Sequence, residues 1–167
     1  MTPPVFITFT TYGSRMHGDE RGSVKRGRKG TFSQVLDPDP TRAQRASSLM
    51  TGPPFELDEA QRTLVAATVK EVCAFKGWTL CAVNVRTNHV HLLVSADVAP
   101  ELVMNTCKAW ATRRMREAGL ASADSRVWTR HGSTRFVTTD ASFRRVAEYI
   151  IDGQGVDIGG LGLGPLE

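Results

Sequence analysis

The chain has 167 residues, of which 41% are hydrophobic, 23% charged and 7% aromatic, with a formal net charge of +4. These values fit one folded domain and exclude a disordered chain, and no apolar run approaches the roughly 20 residues of a membrane span. With no basic-then-apolar secretory signal at the N-terminus and no CxxC pair among Cys73, Cys81 and Cys107, we expect a soluble cytoplasmic protein with reduced thiols.

The first predicted element is a strand at residues 5–12 (VFITFTTY), which is rich in β-branched and aromatic residues. Residues 14–30 then carry the whole net charge, and residues 37–54 contain four prolines, so we expect a long irregular loop at 13–56. A solvated surface loop is the default interpretation, and an arm along a phosphate backbone is the functional one. The basic residues of the first stretch are Arg15, Arg21, Lys25, Arg26, Arg28 and Lys29.

A helix and a hairpin are predicted next. Asp58 and Gln61 form a capping-box pattern at the start of the helix, and Gly77 ends it. Residues 79–86 and 89–95 are predicted strands around a two-residue turn. The predicted apolar stripe of the helix consists of Leu64, Val65, Thr68, Val69, Val72 and Phe75.

The remaining elements are a helix from Pro100 to Gly119, a short strand at 135–138 and a last helix capped by Asp140. The order β-α-β-β-α-β-α matches, in its first six elements, the ferredoxin-like split βαβ plan. We therefore predict an α+β fold, an antiparallel sheet with two helices on one face and an extra C-terminal helix. The inward-facing residues of the last two helices are predicted to be Val103, Cys107, Trp110, Met115, Phe143, Val146, Ala147 and Ile150.

Two histidines lie two residues apart on the third strand. Because strand side chains alternate, His89 and His91 project from one face about 7 Å apart, whereas Val90, Leu92 and Val94 face the helices. Two imidazoles so placed can reach one divalent metal ion. Spacing alone favours two polar residues on the solvent face of a half-buried strand, because two ligands do not make a metal site.

Tyr149 is the second candidate, at the edge of the apolar stripe of the last helix. A boundary tyrosine that packs its ring and hydrates its hydroxyl is the ordinary interpretation. As a nucleophile, a tyrosine with a pKa of about 10 needs an activated electrophile. A metal ion beside it would supply that activation at a phosphate.

Further basic residues fit a path for a nucleic-acid backbone, although an ordinary solvated surface is the default for each. Trp110 and Trp128 could stack bases, but Trp110 lies in an apolar stripe and fits the core better. The basic residues, predicted to lie off the buried stripe of the second helix or beside the HGST turn, are Lys108, Arg113, Arg114, Arg116, Arg130 and Arg135.

These segments together resemble the single-tyrosine HUH transposases, and among them the repeat-associated (IS200-like) tyrosine transposases most. His89-Val90-His91 resembles the histidine–hydrophobic–histidine motif, and one tyrosine follows on a later helix. The resemblance covers most of residues 4–154. The other similar segments are VFITFTTYG, HGDERGS at 17–23, VRTNHVH at 85–91 and WTRHGSTR at 128–135.

The resemblance implies a metal-dependent single-stranded DNA endonuclease and strand transferase that acts on hairpin DNA. His89 and His91 would bind Mg²⁺ or Mn²⁺, and Tyr149 would attack the scissile phosphate, giving a 5′-phosphotyrosine and a free 3′-hydroxyl. The family places a Gln or Asn one helical turn after the tyrosine as a further ligand. Here Gly153 stands at that position, so the expected ligand is Gln154, one residue later, with His131 as the weaker alternative.

The implied organisation is one HUH nuclease domain at 1–154 with the loop at 13–56, followed by a Gly-rich flexible tail at 155–167. Alternatives are a catalytically inactive or domesticated DNA-binding protein on the same fold, or a metal-dependent nuclease that uses water. Monomeric and homodimeric forms are both compatible with the sequence, and no membrane partner is expected. The implied DNA contacts are Arg15, Arg21, Lys25, Arg26, Arg28, Lys29, Lys108, Arg113, Arg130, His131 and Arg135.

Overall fold

A computed structural model describes residues 2–14, 23–25, 34–36 and 39–152, with the backbone alone for 23–25 and 34–36. Of the helices within these ranges, none is both long enough and apolar enough to cross a membrane. The elements in chain order are β1 (Val5–Thr10), β2 (Ser23–Lys25), β3 (Gln34–Leu36), α1 (Pro40–Ser48), α2 (Glu59–Lys76), β4 (Thr79–Val85), β5 (His89–Ser95), α3 (Pro100–Glu117), β6 (Ser133–Phe136) and α4 (Asp140–Asp152).

Four strands form an antiparallel sheet in the order β4-β5-β1-β6. This order, with α2 and α3 on one face, confirms the predicted ferredoxin-like α+β fold. Along β1 and β5 the pairs Ile7–Leu92 and Thr8–His91 alternate between the two faces. Ile7 and Leu92 belong to the core shared with α2 and α3, so the side chains of Thr8 and His91 point to the opposite face.

The predicted capping of α2 is confirmed. The Asp58 side chain accepts a hydrogen bond from the Gln61 amide at 2.8 Å, and the Gln61 side chain accepts one from the Asp58 amide at 2.7 Å. Gly77 ends the helix in the left-handed region at φ 69°, where residues with a Cβ are strained. The prediction that Phe75 is buried is wrong, because Cys73 takes the inward position in the last turn and Phe75 is 71% exposed.

The prediction of an entirely irregular segment between β1 and α2 is also wrong. Asp39 caps α1 by accepting hydrogen bonds from the Thr41 and Arg42 amides, and Pro40 occupies the first turn, where its missing N–H costs nothing. Every residue of α1 is at least partly exposed, so the helix leaves no apolar period in the sequence. A short antiparallel pair of β2 and β3 precedes it.

Two further boundaries differ from the predictions. The last strand lies two residues earlier than expected, at Ser133–Phe136. The hydroxyl of Thr139, not the carboxylate of Asp140, caps α4 by accepting a hydrogen bond from the Ser142 amide at 3.2 Å.

Candidate active site

The two histidines of β5 lie side by side on the sheet face away from α2 and α3. Their ring centroids are 4.6 Å apart, whereas Val90 and Leu92 are fully buried on the helix side. The predicted alternation is therefore confirmed. The valine and leucine anchor the strand, which fixes the direction of both imidazoles.

Helix α4 packs across this second face and brings Tyr149 to the histidines. Val146 and Ile150 of α4 pack against Phe6 and Leu93, and Tyr149 lies at the edge of the same cluster. Its ring centroid is 5.5 Å from that of His91. Residues more than fifty positions apart in the sequence thus form one compact site.

Hydrogen bonding and ring contacts orient the helix and the tyrosine ring. The side-chain amide of Asn84 on β4 donates to the carbonyl of Ile150 at 2.7 Å, which ties the C-terminal part of α4 to the sheet. The ring of Phe6 meets the ring of Tyr149 edge-on, at a centroid distance of 6.3 Å, and lies 5.5 Å from the ring of His91. Phe6 therefore packs against both rings at once.

His91 has the properties of a neutral metal ligand. It is 4% exposed, and burial, with the charges of His89 and Arg86, lowers its pKa to about 3. Its Nδ1 lies 2.8 Å from the hydroxyl of Thr8. Within the described part of the chain no hydrogen-bonding group contacts its buried Nε2, so this nitrogen is an orphaned polar atom of the kind that a metal ion satisfies.

His89 is oriented by its sequence neighbour. Its Nδ1 lies 2.6 Å from Oδ1 of Asn88. Because an amide oxygen only accepts, Nδ1 carries a proton, and in the neutral ring Nε2 carries the lone pair, the form in which imidazole binds metals. Two adjacent imidazoles fit a divalent cation as a partial ligand set, although no three His, Cys, Asp or Glu side chains group as metal ligands in the described ranges.

The prediction that Lys108 lies on the exposed face of α3 is wrong. It is 7% exposed, because it follows Met104 by one helical turn on the buried stripe. Its Nζ donates hydrogen bonds to the carbonyls of Thr129 at 2.9 Å and His131 at 3.0 Å, and burial lowers its pKa to about 8. The ammonium thus holds the backbone of residues 128–132 instead of facing solvent.

Residues 128–132, hereafter the edge segment, are also held from the side of β1. The Thr129 amide donates to the carbonyl of Thr10 at 3.0 Å, and the hydroxyls of the two threonines are 3.0 Å apart. A Cβ on Gly132 would lie 2.5 Å from the carbonyl oxygen of Thr8, so only glycine fits there. Because Thr10 pairs with His89, the edge segment is fixed beside the histidine pair.

The structure places the other predicted site residues in three groups. Arg113, Arg130 and His131 are exposed, and Arg135 is half-buried on β6. Trp128 packs edge-on against Phe9 and donates from Nε1 to the carbonyl of Lys108. The residues or side chains that lie outside the described ranges are Arg15, Arg21, Lys25, Arg26, Arg28, Lys29, Gln154 and the tail at 155–167.

Sequence reasoning missed the groups that support the histidines. Asn88 directly precedes His89, and this adjacency was a usable signal. Thr8 contacts His91 only through the register of β1 on β5, and Phe6 meets Tyr149 only through the docking of α4. Neither contact has a local pattern in the sequence.

One family model matches more than half of the chain. The model of the IS200-like transposase family matches residues 56–152. The structure is similar to that of a REP-associated tyrosine transposase bound to a REP hairpin, with a TM-score of 0.53 and 12% identity over 90% of this chain. This chain spans 66% of the length of that protein, and at this identity the likeness concerns the fold. The comparison with curated proteins finds no match.

Proposed function

Because the chain belongs to the IS200-like transposase family, we propose that it cleaves and rejoins single-stranded or hairpin DNA through a covalent link to Tyr149. The observation that carries the proposal is the cluster of His89, His91 and Tyr149, with ring centroids 4.6 and 5.5 Å apart. A tyrosine beside two imidazoles provides both the nucleophile and the ligands that phosphoryl transfer needs.

In the proposed reaction, Oη of Tyr149 attacks the scissile phosphorus, and the phenolic proton passes to water. A bond forms between phosphorus and Oη while the bond between phosphorus and the 3′-oxygen breaks. The 3′-oxygen takes up a proton and leaves as a hydroxyl, and the 5′-phosphate stays on the tyrosine. Attack by another 3′-hydroxyl reverses these steps and joins a new strand.

His89 and His91 would hold a divalent cation, with Gln154 as the further ligand that the family pattern suggests. Bound there, Mg²⁺ or Mn²⁺ would supply Lewis-acid polarisation of a phosphate oxygen. The lowered pKa of His91 keeps that imidazole neutral, so its Nε2 lone pair is available at neutral pH. The hydrogen bond that Nδ1–H of His91 then donates to the hydroxyl of Thr8 and the packing of Phe6 keep the ring in place.

Basic side chains around this cluster would contact the DNA backbone. Arg130 and His131 lie on the edge segment, which Thr129 ties to Thr10 beside His89. Arg135 lies on β6, opposite Phe6 of the site cluster. The basic residues between 15 and 29 are proposed contacts as well, since they carry the net charge of the chain.

The test is incubation of the purified protein with 5′- and 3′-labelled DNA hairpins and Mn²⁺, followed by a denaturing gel. We expect a covalent protein–DNA adduct that retains the 5′-phosphate side, and a released fragment that a polymerase extends from its 3′-hydroxyl. Cleavage without an adduct would favour a nuclease that uses water. Hairpin binding without cleavage at any divalent ion would favour a DNA-binding protein that has lost the reaction.

A further inference from the structure

Two aromatic rings lie together on the outer surface of the α2–α3 layer, on the opposite side of the sheet from Tyr149. Phe75 at the end of α2 is 71% exposed, although it is a large apolar residue. Its ring centroid is 5.5 Å from that of the half-buried Trp110 on α3. We call these two residues the ring pair.

Cations flank both members of the ring pair. Nζ of Lys76 lies 5.8 Å from the centroid of the Phe75 ring, and the guanidinium carbon of Arg113 lies 4.9 Å from that of Trp110. Glu117 contacts Arg113 at 3.8 Å through one oxygen, and the side chains of both are more than half exposed. An exposed aromatic ring with basic side chains close to it offers a stacking surface for a base and charges for its phosphates.

A shallow groove continues from Arg113 on the other side of α3. Its volume is about 550 Å³, and its lining includes Asn105, Thr112, Arg113, Arg116 and Trp128. Arg113 therefore belongs to both features. The ring pair and the groove form one surface across α3.

This surface leads back to the proposed active site around the sheet edge. Trp128 lines the groove and begins the edge segment, which runs to β6, the edge strand. The next residue, Thr129, bonds to Thr10 on the face that carries His89. Arg130 and His131, both exposed, lie between the groove and β6.

We propose that a single DNA strand leaving the His89–Tyr149 site passes the edge segment, crosses the groove and stacks a base on Phe75. The DNA occupant rests on the proposed function, whereas the surface itself does not. Phosphates would lie on Arg116, Arg113 and Lys76. An unpaired strand fits better than a duplex, because only unpaired bases expose their faces for stacking on a lone ring.

The charge of the surface argues against a second copy of the chain as the occupant. Two copies facing each other here would bring Lys76, Arg113 and Arg116 against their own equivalents, with like charges opposed. Glu71 and Glu117, which pair with Arg114 and Arg113, offset only part of this charge, because four basic side chains face two carboxylates once Arg114 is included. A polyanion is the complementary partner.

The test measures fluorescence anisotropy of labelled DNA hairpins that carry either no single-stranded extension or a long one, with EDTA present so that binding is scored without cleavage. We expect the extension to tighten binding to the wild-type protein. Phe75→Ala should reduce the affinity gained from the extension by about 5- to 100-fold, because one stacked base is lost. Phe75→Trp should retain that gain in affinity. The matched control is Leu102→Ala, which removes a 53% exposed apolar side chain about 12 Å along α3 from Trp110 and should change nothing.

Equal affinity of Phe75→Ala and wild type for the extended hairpin would overturn the proposal. So would sedimentation showing a dimer that Phe75→Ala dissociates while DNA affinity is unchanged, since that assigns the surface to a second copy. Adduct formation on the hairpin without an extension tests the proposed function and does not depend on Phe75. The affinities of the Phe75 variants for the extended hairpin test this inference, so failure of one claim can be told from failure of the other.

Discussion

Neighbouring substitutions on β5 should separate stability from chemistry, because His91 and Val90 point to opposite faces of the sheet. We compare His91→Ala with Val90→Ala. Val90 is fully buried among α2, α3 and the sheet, so its truncation removes two methyl groups from a packed core. At about 0.8 kcal/mol for each carbon plus a cavity contribution, the free energy of unfolding should fall by about 2–3 kcal/mol.

The decrease in the free energy of unfolding should be smaller for His91→Ala than for Val90→Ala. The substitution breaks one hydrogen bond, that of Nδ1 with Thr8, which is worth about 1 kcal/mol, and the ring contacts with Phe6 and Tyr149, which are worth about 0.5–1.5 kcal/mol each. It also removes the orphaned Nε2, whose burial is unfavourable in the absence of a ligand, and this partly offsets the loss. We expect a decrease of about 1 kcal/mol in the free energy of unfolding.

Urea unfolding followed by tryptophan fluorescence measures both free energies, and cleavage of a labelled hairpin is then measured where both variants are folded. Val90→Ala should cleave at close to the wild-type rate, whereas His91→Ala should not cleave. Cleavage by His91→Ala with an unchanged metal requirement would refute the assignment of this imidazole as a ligand. A greater loss of stability in His91→Ala than in Val90→Ala would refute the assignment of the two faces.

Two further predictions concern the edge segment. Gly132→Ala should lower the free energy of unfolding by about 1–3 kcal/mol, because the new Cβ would lie 2.5 Å from the carbonyl oxygen of Thr8; an unchanged melting temperature would contradict the close approach. Lys108→Met should alter the pH dependence of stability, because the folded-state pKa of Lys108 is lowered to about 8 and the unfolded chain therefore holds this proton to higher pH. The contribution of Lys108 to stability should rise between about pH 8 and pH 10.5, so the difference in unfolding free energy between wild type and Lys108→Met should grow in favour of wild type over that range. A difference that is constant with pH would show that the ammonium is not desolvated.

The sequence was sufficient to predict the antiparallel sheet and the face of the sheet that carries the two histidines. The period of two in β5 places His89 and His91 on one face of the sheet. Asp58, Gln61 and Gly77 predict the two ends of α2. These features depend on contacts within a few residues, which a sequence pattern records directly.

Features that depend on tertiary contacts could not be predicted from the sequence. Lys108 lies on a buried stripe that apolar residues alone define incompletely, and its burial is stabilised by carbonyls about twenty positions away. Phe75 continued the predicted stripe of α2, but the helix ends beside Trp110 and not over the core. The contact of Thr8 with His91 requires the strand register, which no local pattern specifies.

The most direct test of the account compares Tyr149→Phe with Tyr12→Phe on one hairpin substrate. The hydroxyl of Tyr12 accepts a hydrogen bond from the Thr51 amide at 2.9 Å and is the matched control, since each substitution removes one phenolic oxygen. We predict that Tyr149→Phe keeps its fold and its DNA affinity but forms no covalent adduct, whereas Tyr12→Phe forms the adduct as wild type does. An adduct that persists in Tyr149→Phe and disappears in Tyr12→Phe would contradict the central claim.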